Sequence, residues 1–186
     1  MPSGYLNNQF LIAMPGMTDP NFSQTVTLVC DHNSNGALGI VVNRPLHMNL
    51  GEVFAQLGLK FENTDTSDRA VLQGGPVQTD RGFVLHTPGD AYESTLAVSE
   101  KLQLTTSRDI LDALAGGTGP REAVVALGYA GWESGQLESE MAQNAWLTVE
   151  ADERLLFDTP PEQRWQAAVD LLGIDLTQLS SDAGHA

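Results

Sequence analysis

The sequence predicts a single domain of the α+β class, and three observations carry that prediction. Apolar, β-branched runs alternate with turn residues, which is typical of strands. Other segments place apolar residues at helical spacing behind capping residues. The chain has 186 residues with no internal repeat and no linker long enough to separate two domains. We therefore expect one domain over residues 1–186, with residues 1–9 and 176–186 as partly ordered termini.

The first long element pair is a predicted hairpin over residues 25–42, which follows a short strand at residues 10–14. Side chains alternate along a strand, so Cys30 and His32 are expected on one face. An imidazole beside a thiol can lower the thiol pKa, which makes these two residues candidate catalytic residues. A lone cysteine at the end of a buried strand is more often a small core residue, and both interpretations stay open.

About four helices are predicted from capping residues and apolar spacing. The expected caps are Asn49 with Glu52, Thr106 with Asp109, Ser134, and Thr159 ahead of two prolines. Further strands are predicted at residues 70–73, 82–86, 94–98, 101–104, 122–128 and 146–149, with an extended piece at 154–158. Residues 60–69 are polar and acidic, and we expect a surface loop there.

Two glycine-containing segments are candidate ligand sites. The amides of Gly74 and Gly75 could face a ligand, although a turn is the commoner use of such a pair. Tyr129 and Trp132 follow the predicted central strand at 122–128, and loops at the carboxyl end of such strands often bind ligands. Trp132 could equally be a core anchor.

The charge of the chain restricts its partners. Twenty-four acidic residues against nine basic ones give a net charge of −15. A field of that sign repels phosphate backbones and anionic lipid surfaces, so the sequence argues against direct DNA binding. Glu138 and Glu140 lie two residues apart on a predicted helix and do not face each other, so we expect both to be solvated.

Metal, cofactor and membrane signals are weak or missing in the sequence. Neighbours on one strand, such as Cys30 and His32, cannot surround a zinc ion without distant residues, so no metal is predicted. No phosphate-binding loop or dinucleotide fingerprint follows a strand, so no cofactor is predicted either. One cysteine excludes an internal disulfide, the start lacks basic residues, and no apolar run is long enough to span a membrane. We therefore expect a cytoplasmic protein.

Several separated motifs resemble those of one bacterial family. They are Leu11-Ile-Ala-Met-Pro-Gly-Met-Thr-Asp-Pro-Asn-Phe22, Cys30-Asp-His32, Gly36-Ala-Leu-Gly-Ile-Val-Val-Asn-Arg-Pro45, Gly74-Gly-Pro-Val77, Gly128-Tyr-Ala-Gly-Trp132, Gly135-Gln-Leu-Glu138 and Asn144. Through these motifs the chain resembles the AlgH/YqgE family from about residue 4 to about residue 180. The resemblance implies a mixed, bent sheet that approaches a partial barrel, flanked by helices. Family members are described as candidate transcriptional regulators with no agreed enzymatic reaction.

Two functions follow as expectations. The first is a non-catalytic regulatory or binding protein that acts indirectly through a protein partner or a small ligand. The second is a thiol-based enzyme or redox sensor, with Cys30 as nucleophile and His32 as the group that activates it. Asn43 or Arg44, at the end of the paired strand, would then stabilise an anion.

Overall fold

The computed structural model describes residues 5–20, 22–62 and 64–173. The strands within these ranges are β1 (Gln9–Ala13), β2 (Val26–Asn33), β3 (Gly36–Val41), β4 (Pro45–Asn49), β5 (Ala70–Gln73), β6 (Val77–His86), β7 (Thr95–Ala97), β8 (Gln103–Thr105), β9 (Ala123–Glu133) and β10 (Trp146–Glu150). The helices are α1 (Leu50–Gln56), α2 (Thr64–Ser67), α3 (Asp109–Ala115), α4 (Gln136–Ala142), α5 (Glu153–Phe157) and α6 (Arg164–Leu172), and a 3-10 turn at Pro161–Gln163 leads into α6. The predicted partly ordered C-terminal segment, 176–186, lies outside the described residues, as do residues 1–4.

One curled sheet is built around β9. The strand order is β10-β1-β2-β3-β9-β6-β8-β7, and β4 joins through its pairing with β5. The pairing of β5 with β9 is parallel, whereas β9 pairs antiparallel with β3 and β6. The sheet is therefore mixed, and its curled form confirms the predicted α+β fold with a bent sheet that approaches a partial barrel.

β9 is covered on both faces, as its apolar run predicts. Val124 and Ala126 pack on one side of the sheet, and Val125 packs on the other. The strand is longer than expected, since it continues past Gly128 to Glu133. Gly128 has a φ of +81°, a conformation that glycine adopts without steric cost. The segment predicted as a loop beyond residue 128 is thus the second half of the strand.

Three apolar clusters hold the helices against the sheet. The first cluster includes Phe10, Ile12, Leu28, Cys30, Ile40, Leu85, Leu156 and Val169, and it brings α5 and α6 onto the sheet. The second cluster includes Val53, Phe54, Val71, Val84, Ile110 and Leu114, and it packs α1 and α3 against the sheet. The third cluster includes Leu11, Val29, Ala130, Trp132, Leu137 and Trp146, and it places α4 on the sheet. None of the helices in the described part of the chain is long and apolar enough to cross a membrane.

The cap predicted for α1 is confirmed. The Asn49 side chain accepts a hydrogen bond from the Glu52 amide at 3.0 Å, which satisfies one of the free donors at the start of the helix. Val53 and Phe54 are buried beneath it, and Gly58 follows with a φ of +73°. Sequence alone was sufficient here because the cap and the buried stripe lie within ten residues of each other.

The caps predicted at Thr106 with Asp109 and at Ser134 are wrong, because the N-cap residue of α3 is Arg108 and the predicted side chains have other partners. Asp109 accepts from the Ser107 hydroxyl at 2.5 Å and from the Glu93 amide at 2.8 Å, so it ties the start of α3 to the loop before β7. Ser134 donates to the Ser34 carbonyl at 2.6 Å, and Gly135 occupies the cap position of α4.

Two short helices were not predicted, which makes six instead of about four in the described residues. α2 lies within the expected loop at 60–69. α5 replaces the expected extended piece at 154–158, and the Asp152 side chain caps it by accepting from the Arg154 amide at 2.9 Å. A five-residue helix with two adjacent buried leucines has too few positions to show a helical period. Thr159 caps no helix, since its hydroxyl donates to the Arg154 carbonyl.

Candidate functional site

A β-bulge separates the two candidate catalytic residues. Val29 pairs with Gly39 and Asp31 pairs with Leu38, so Cys30 is the extra residue on β2. The extra residue reverses the alternation of side chains along the strand. Cys30 belongs to the first cluster, whereas His32 lies opposite Ala37 on the face of the third cluster. The predicted common face for Cys30 and His32 is therefore wrong.

Cys30 lies in the core. Its side chain has no exposed surface, and its thiol donates a weak hydrogen bond to the Leu28 carbonyl at 3.7 Å. Burial raises the pKa of the thiol far above its usual range, and the charge of Asp31 adds to that increase. The thiol is therefore protonated at neutral pH in the folded protein.

His32 joins the N-terminal segment to α4. The Leu6 amide donates to Nδ1 at 2.9 Å, so the proton of the neutral ring lies on Nε2. Nε2 donates to Oε1 of Glu138 at 3.1 Å. That hydrogen bond lowers the pKa of Glu138. Glu138 is exposed as expected, but it has a specific partner and is not simply solvated.

Asn43 and Arg44 hold the loop that precedes β2. The Asn43 side chain accepts from the Val26 amide and donates to the Gln24 carbonyl, both at 2.9 Å. Arg44 donates to the Ser23 carbonyl at 2.9 Å. Partial burial lowers the pKa of Arg44, and the charge of Asp19 opposes that change. Asn43 thus lies beside Val26. Val26 and Cys30 are four residues apart on β2, which is about 13 Å along an extended strand, so Asn43 is not adjacent to the Cys30 thiol.

The backbone of Gly74 and Gly75 closely approaches the backbone of Gly128 and Tyr129. A Cβ on Gly74 would lie 2.4 Å from the Gly128 carbonyl oxygen, and one on Gly75 would lie 2.1 Å from the Tyr129 carbonyl carbon. Both glycines are buried. The Tyr129 ring packs on the Phe83 ring with centroids 5.4 Å apart. The absence of a side chain at both glycines is required by this close approach.

Trp132 is a core anchor within an aromatic group. Its ring lies 6.3 Å from the rings of both Phe22 and Trp146, between centroids. Oε1 of Glu140 accepts from the indole nitrogens of Trp132 at 3.0 Å and Trp146 at 2.9 Å. One carboxylate oxygen therefore satisfies two buried donors, so the expectation of a merely solvated Glu140 is wrong.

An apolar groove lies beside this aromatic group. It runs between the turn after β1 and the turn between α4 and β10, and its volume is about 780 Å³. A hydrogen bond of 3.1 Å from the Met14 amide to the Ala145 carbonyl joins the two turns. We call this groove the methionine groove. Its lining is Met14, Pro15, Gly16, Met17, Thr18, Gln143, Asn144, Ala145, Trp146 and Leu147.

The methionine groove was not predicted from the sequence, although six of its ten lining residues belong to the motifs that carry the family resemblance. The motif at residues 11–22 supplies one wall, and Asn144 supplies part of the other. The sequence does contain one indication, since Trp132 and Trp146 lie on either side of the short helix that carries Glu140. Only the register of β1 with β10 shows that Trp146 lies beside the turn at residues 14–18.

Sequence comparison identifies one family over most of the chain. A profile of the family described as AlgH-like matches residues 10–177. A UPF0301 protein of Cupriavidus metallidurans is 54% identical over 181 residues, which are 97% of this chain and 95% of that protein. A UPF0301 protein of Thioalkalivibrio sulfidiphilus is 55% identical over 184 residues, which are 99% and 98% of the two chains.

Two solved structures share the fold. The solution structure of the AlgH protein from Pseudomonas aeruginosa is 52% identical, with a TM-score of 0.81 over 100% of this chain and 98% of that chain. The crystal structure of a Corynebacterium diphtheriae protein is 16% identical, with a TM-score of 0.67 over 86% of this chain and 83% of that chain. At that lower identity the likeness shows the fold alone.

Proposed function

Because this chain belongs to the AlgH-like family, we propose that it is a non-catalytic regulatory protein that acts by binding a protein partner in the methionine groove. The observation that supports the proposal is an apolar groove inside a part of the chain that carries acidic residues and no Lys or Arg. A cytoplasmic place of action is consistent with a single cysteine that forms no internal disulfide.

The lining of the groove favours an apolar segment as the bound element. Met14 and Met17 contribute flexible, polarisable side chains that can adapt to a partner surface. Trp146 is buried and fixed by its hydrogen bond to Glu140, so it gives the groove a rigid wall. A combination of adaptable and rigid apolar side chains is typical of peptide-recognition grooves.

The surrounding charge favours a basic partner. Residues 122–153 contain seven acidic residues and no Lys or Arg, and residues 1–43 contain two acidic residues, one of which, Asp19, is opposed by the charge of Arg44. Both walls of the groove come from these segments. A partner segment with Lys or Arg beside apolar residues would be attracted to this part of the protein, whereas nucleic acid would be repelled.

Site-specific photocrosslinking tests the proposal. A benzoylphenylalanine at Gln143, on the groove, is compared with one at Gln166, an exposed position on α6. We expect a discrete crosslinked protein at Gln143 alone, with a crosslinked peptide that has Lys or Arg beside apolar residues. Equal adducts at both positions, or no discrete adduct at Gln143, would contradict the proposal.

A binding measurement with the purified partner completes the test. Met17→Lys places a positive charge in the groove and is expected to weaken binding about tenfold or more, since it opposes a basic partner and removes apolar contact. Gln166→Lys adds the same charge on α6 and is expected to leave the affinity unchanged. Equal effects of the two substitutions would show that the partner binds elsewhere.

A further inference from the structure

A second cleft collects a large share of the few basic residues. It lies where β5 and β9 begin and where α5 turns toward α6, and its volume is about 400 Å³. Arg69, Arg121 and Arg164 line it, three of only nine Lys and Arg in a chain of net charge −15. We call it the arginine cleft. Such a concentration of positive charge contrasts with the acidic remainder of the protein.

Arg164 supplies a buried positive charge to the arginine cleft. The residue is 6% exposed, and its guanidinium donates to the carbonyls of Val42 and Leu156 at 2.7 Å and of Thr159 at 2.9 Å. Carbonyls satisfy these donors but carry no net charge, and within the described residues no carboxylate forms an ion pair with Arg164 within 4.0 Å. Each terminal nitrogen also has a second hydrogen.

The environment of Arg164 disfavours an uncompensated charge. Burial lowers the pKa of its guanidinium to about 10, and the charge of Glu162 only partly opposes that change. A buried charge gains most from a counter-charge that also accepts hydrogen bonds. An anion that enters the cleft would supply both.

Arg69 and Arg121 extend the positive surface to the edge of the cleft. The Arg69 guanidinium donates to the carbonyls of Arg121 at 3.2 Å and Ala123 at 3.4 Å, which holds its charge beside the start of β9. Two exposed carboxylates, Glu122 and Asp158, also line the cleft. The lining itself holds three arginines against these two carboxylates, and the charge of Glu162, next to the cleft, offsets part of the difference.

The rest of the lining is apolar except for Thr159. Its larger members are Leu72, Val124, Leu156, Phe157, Pro160 and Pro161. Fixed charged groups on an apolar wall are typical of sites for small organic ligands. We propose that the arginine cleft binds a small organic anion, with its carboxylate or phosphate group on the three arginines and its apolar body against the remaining wall.

Titration with defined anions tests this site. Phenyl phosphate and benzoate are added to the full chain at 150 mM NaCl while amide shifts are recorded, and neutral benzyl alcohol is the control ligand. We expect saturable binding of at least one anion, with shifts concentrated in residues 69–72, 121–124 and 156–164. The two anions distinguish a phosphate from a carboxylate preference, and benzyl alcohol is expected to bind at least about tenfold more weakly.

Matched arginine variants assign the binding to the cleft. Arg69→Gln and Arg121→Gln are each expected to lower the affinity for the anion about threefold or more, as expected for the loss of a partly exposed ion pair. Arg81→Gln, an exposed arginine outside the cleft, is expected to leave the affinity within about twofold. Arg164 is left intact because its hydrogen bonds to the carbonyls of Val42 and Leu156 join the residue after β3 to α5. No saturable binding, shifts elsewhere, or equal losses in all three variants would overturn the proposal.

Discussion

Glu140→Ala should destabilise the protein through two tryptophans at once. The substitution removes the acceptor of both buried indole donors, Trp132 and Trp146, which are 6% and 3% exposed. A buried donor left without a partner costs about 1–3 kcal/mol, so the two indole donors together would lower the free energy of unfolding by about 2–6 kcal/mol. Glu140 is half-buried, and water can replace part of the lost acceptor. We therefore expect the free energy of unfolding to fall by about 2–4 kcal/mol.

Urea unfolding followed by far-UV circular dichroism measures this loss, with the m-value checked for constancy. Ser139→Ala, at an exposed neighbour on α4, is the control and should change the free energy of unfolding by less than about 0.5 kcal/mol. Glu140→Gln keeps an oxygen acceptor and should cost less than Glu140→Ala. A loss for Glu140→Ala below about 0.5 kcal/mol would refute the dependence of both indoles on this carboxylate.

Two further outcomes follow from the positions of Cys30 and His32. The buried Cys30 thiol should react with a disulfide reagent at least about 100-fold more slowly in the native protein than in concentrated urea. Rapid labelling of the native protein with a thiol pKa well below the free value of about 8.5 would instead support the redox hypothesis. The His32 contact lowers the pKa of Glu138 in the folded protein, so ionised Glu138 stabilises the fold at pH values above its unfolded pKa of about 4.3. This stabilisation is lost as the pH falls through the lower pKa of the folded state. The difference in unfolding free energy between wild type and Glu138→Gln should therefore shrink below about pH 4. Glu133→Gln, at an exposed position, is the control. A difference that persists at about pH 2.5 would contradict the contribution of the His32 contact.

Much of the fold followed from short-range patterns. The hairpin of β2 and β3, the Asn49 cap of α1 and the two-sided burial of β9 were all predicted. Each depends on residues within about a dozen positions, where backbone preference and side-chain period act directly. The short α5 was missed for the same reason, because five residues show too little of a period.

The candidate sites depended on contacts that no local pattern contains. The bulge at Cys30 requires the register of β2 against β3, where a Cβ on Gly39 would lie 2.8 Å from Thr27. The bond from His32 to Glu138 joins residues 106 positions apart, and that from Arg164 to Val42 joins residues 122 positions apart. Sequence by itself determined the family, the α+β class and the net charge of −15. Only the tertiary structure decided which side chains meet in the methionine groove and the arginine cleft, because burial and partner choice follow from packing between distant segments.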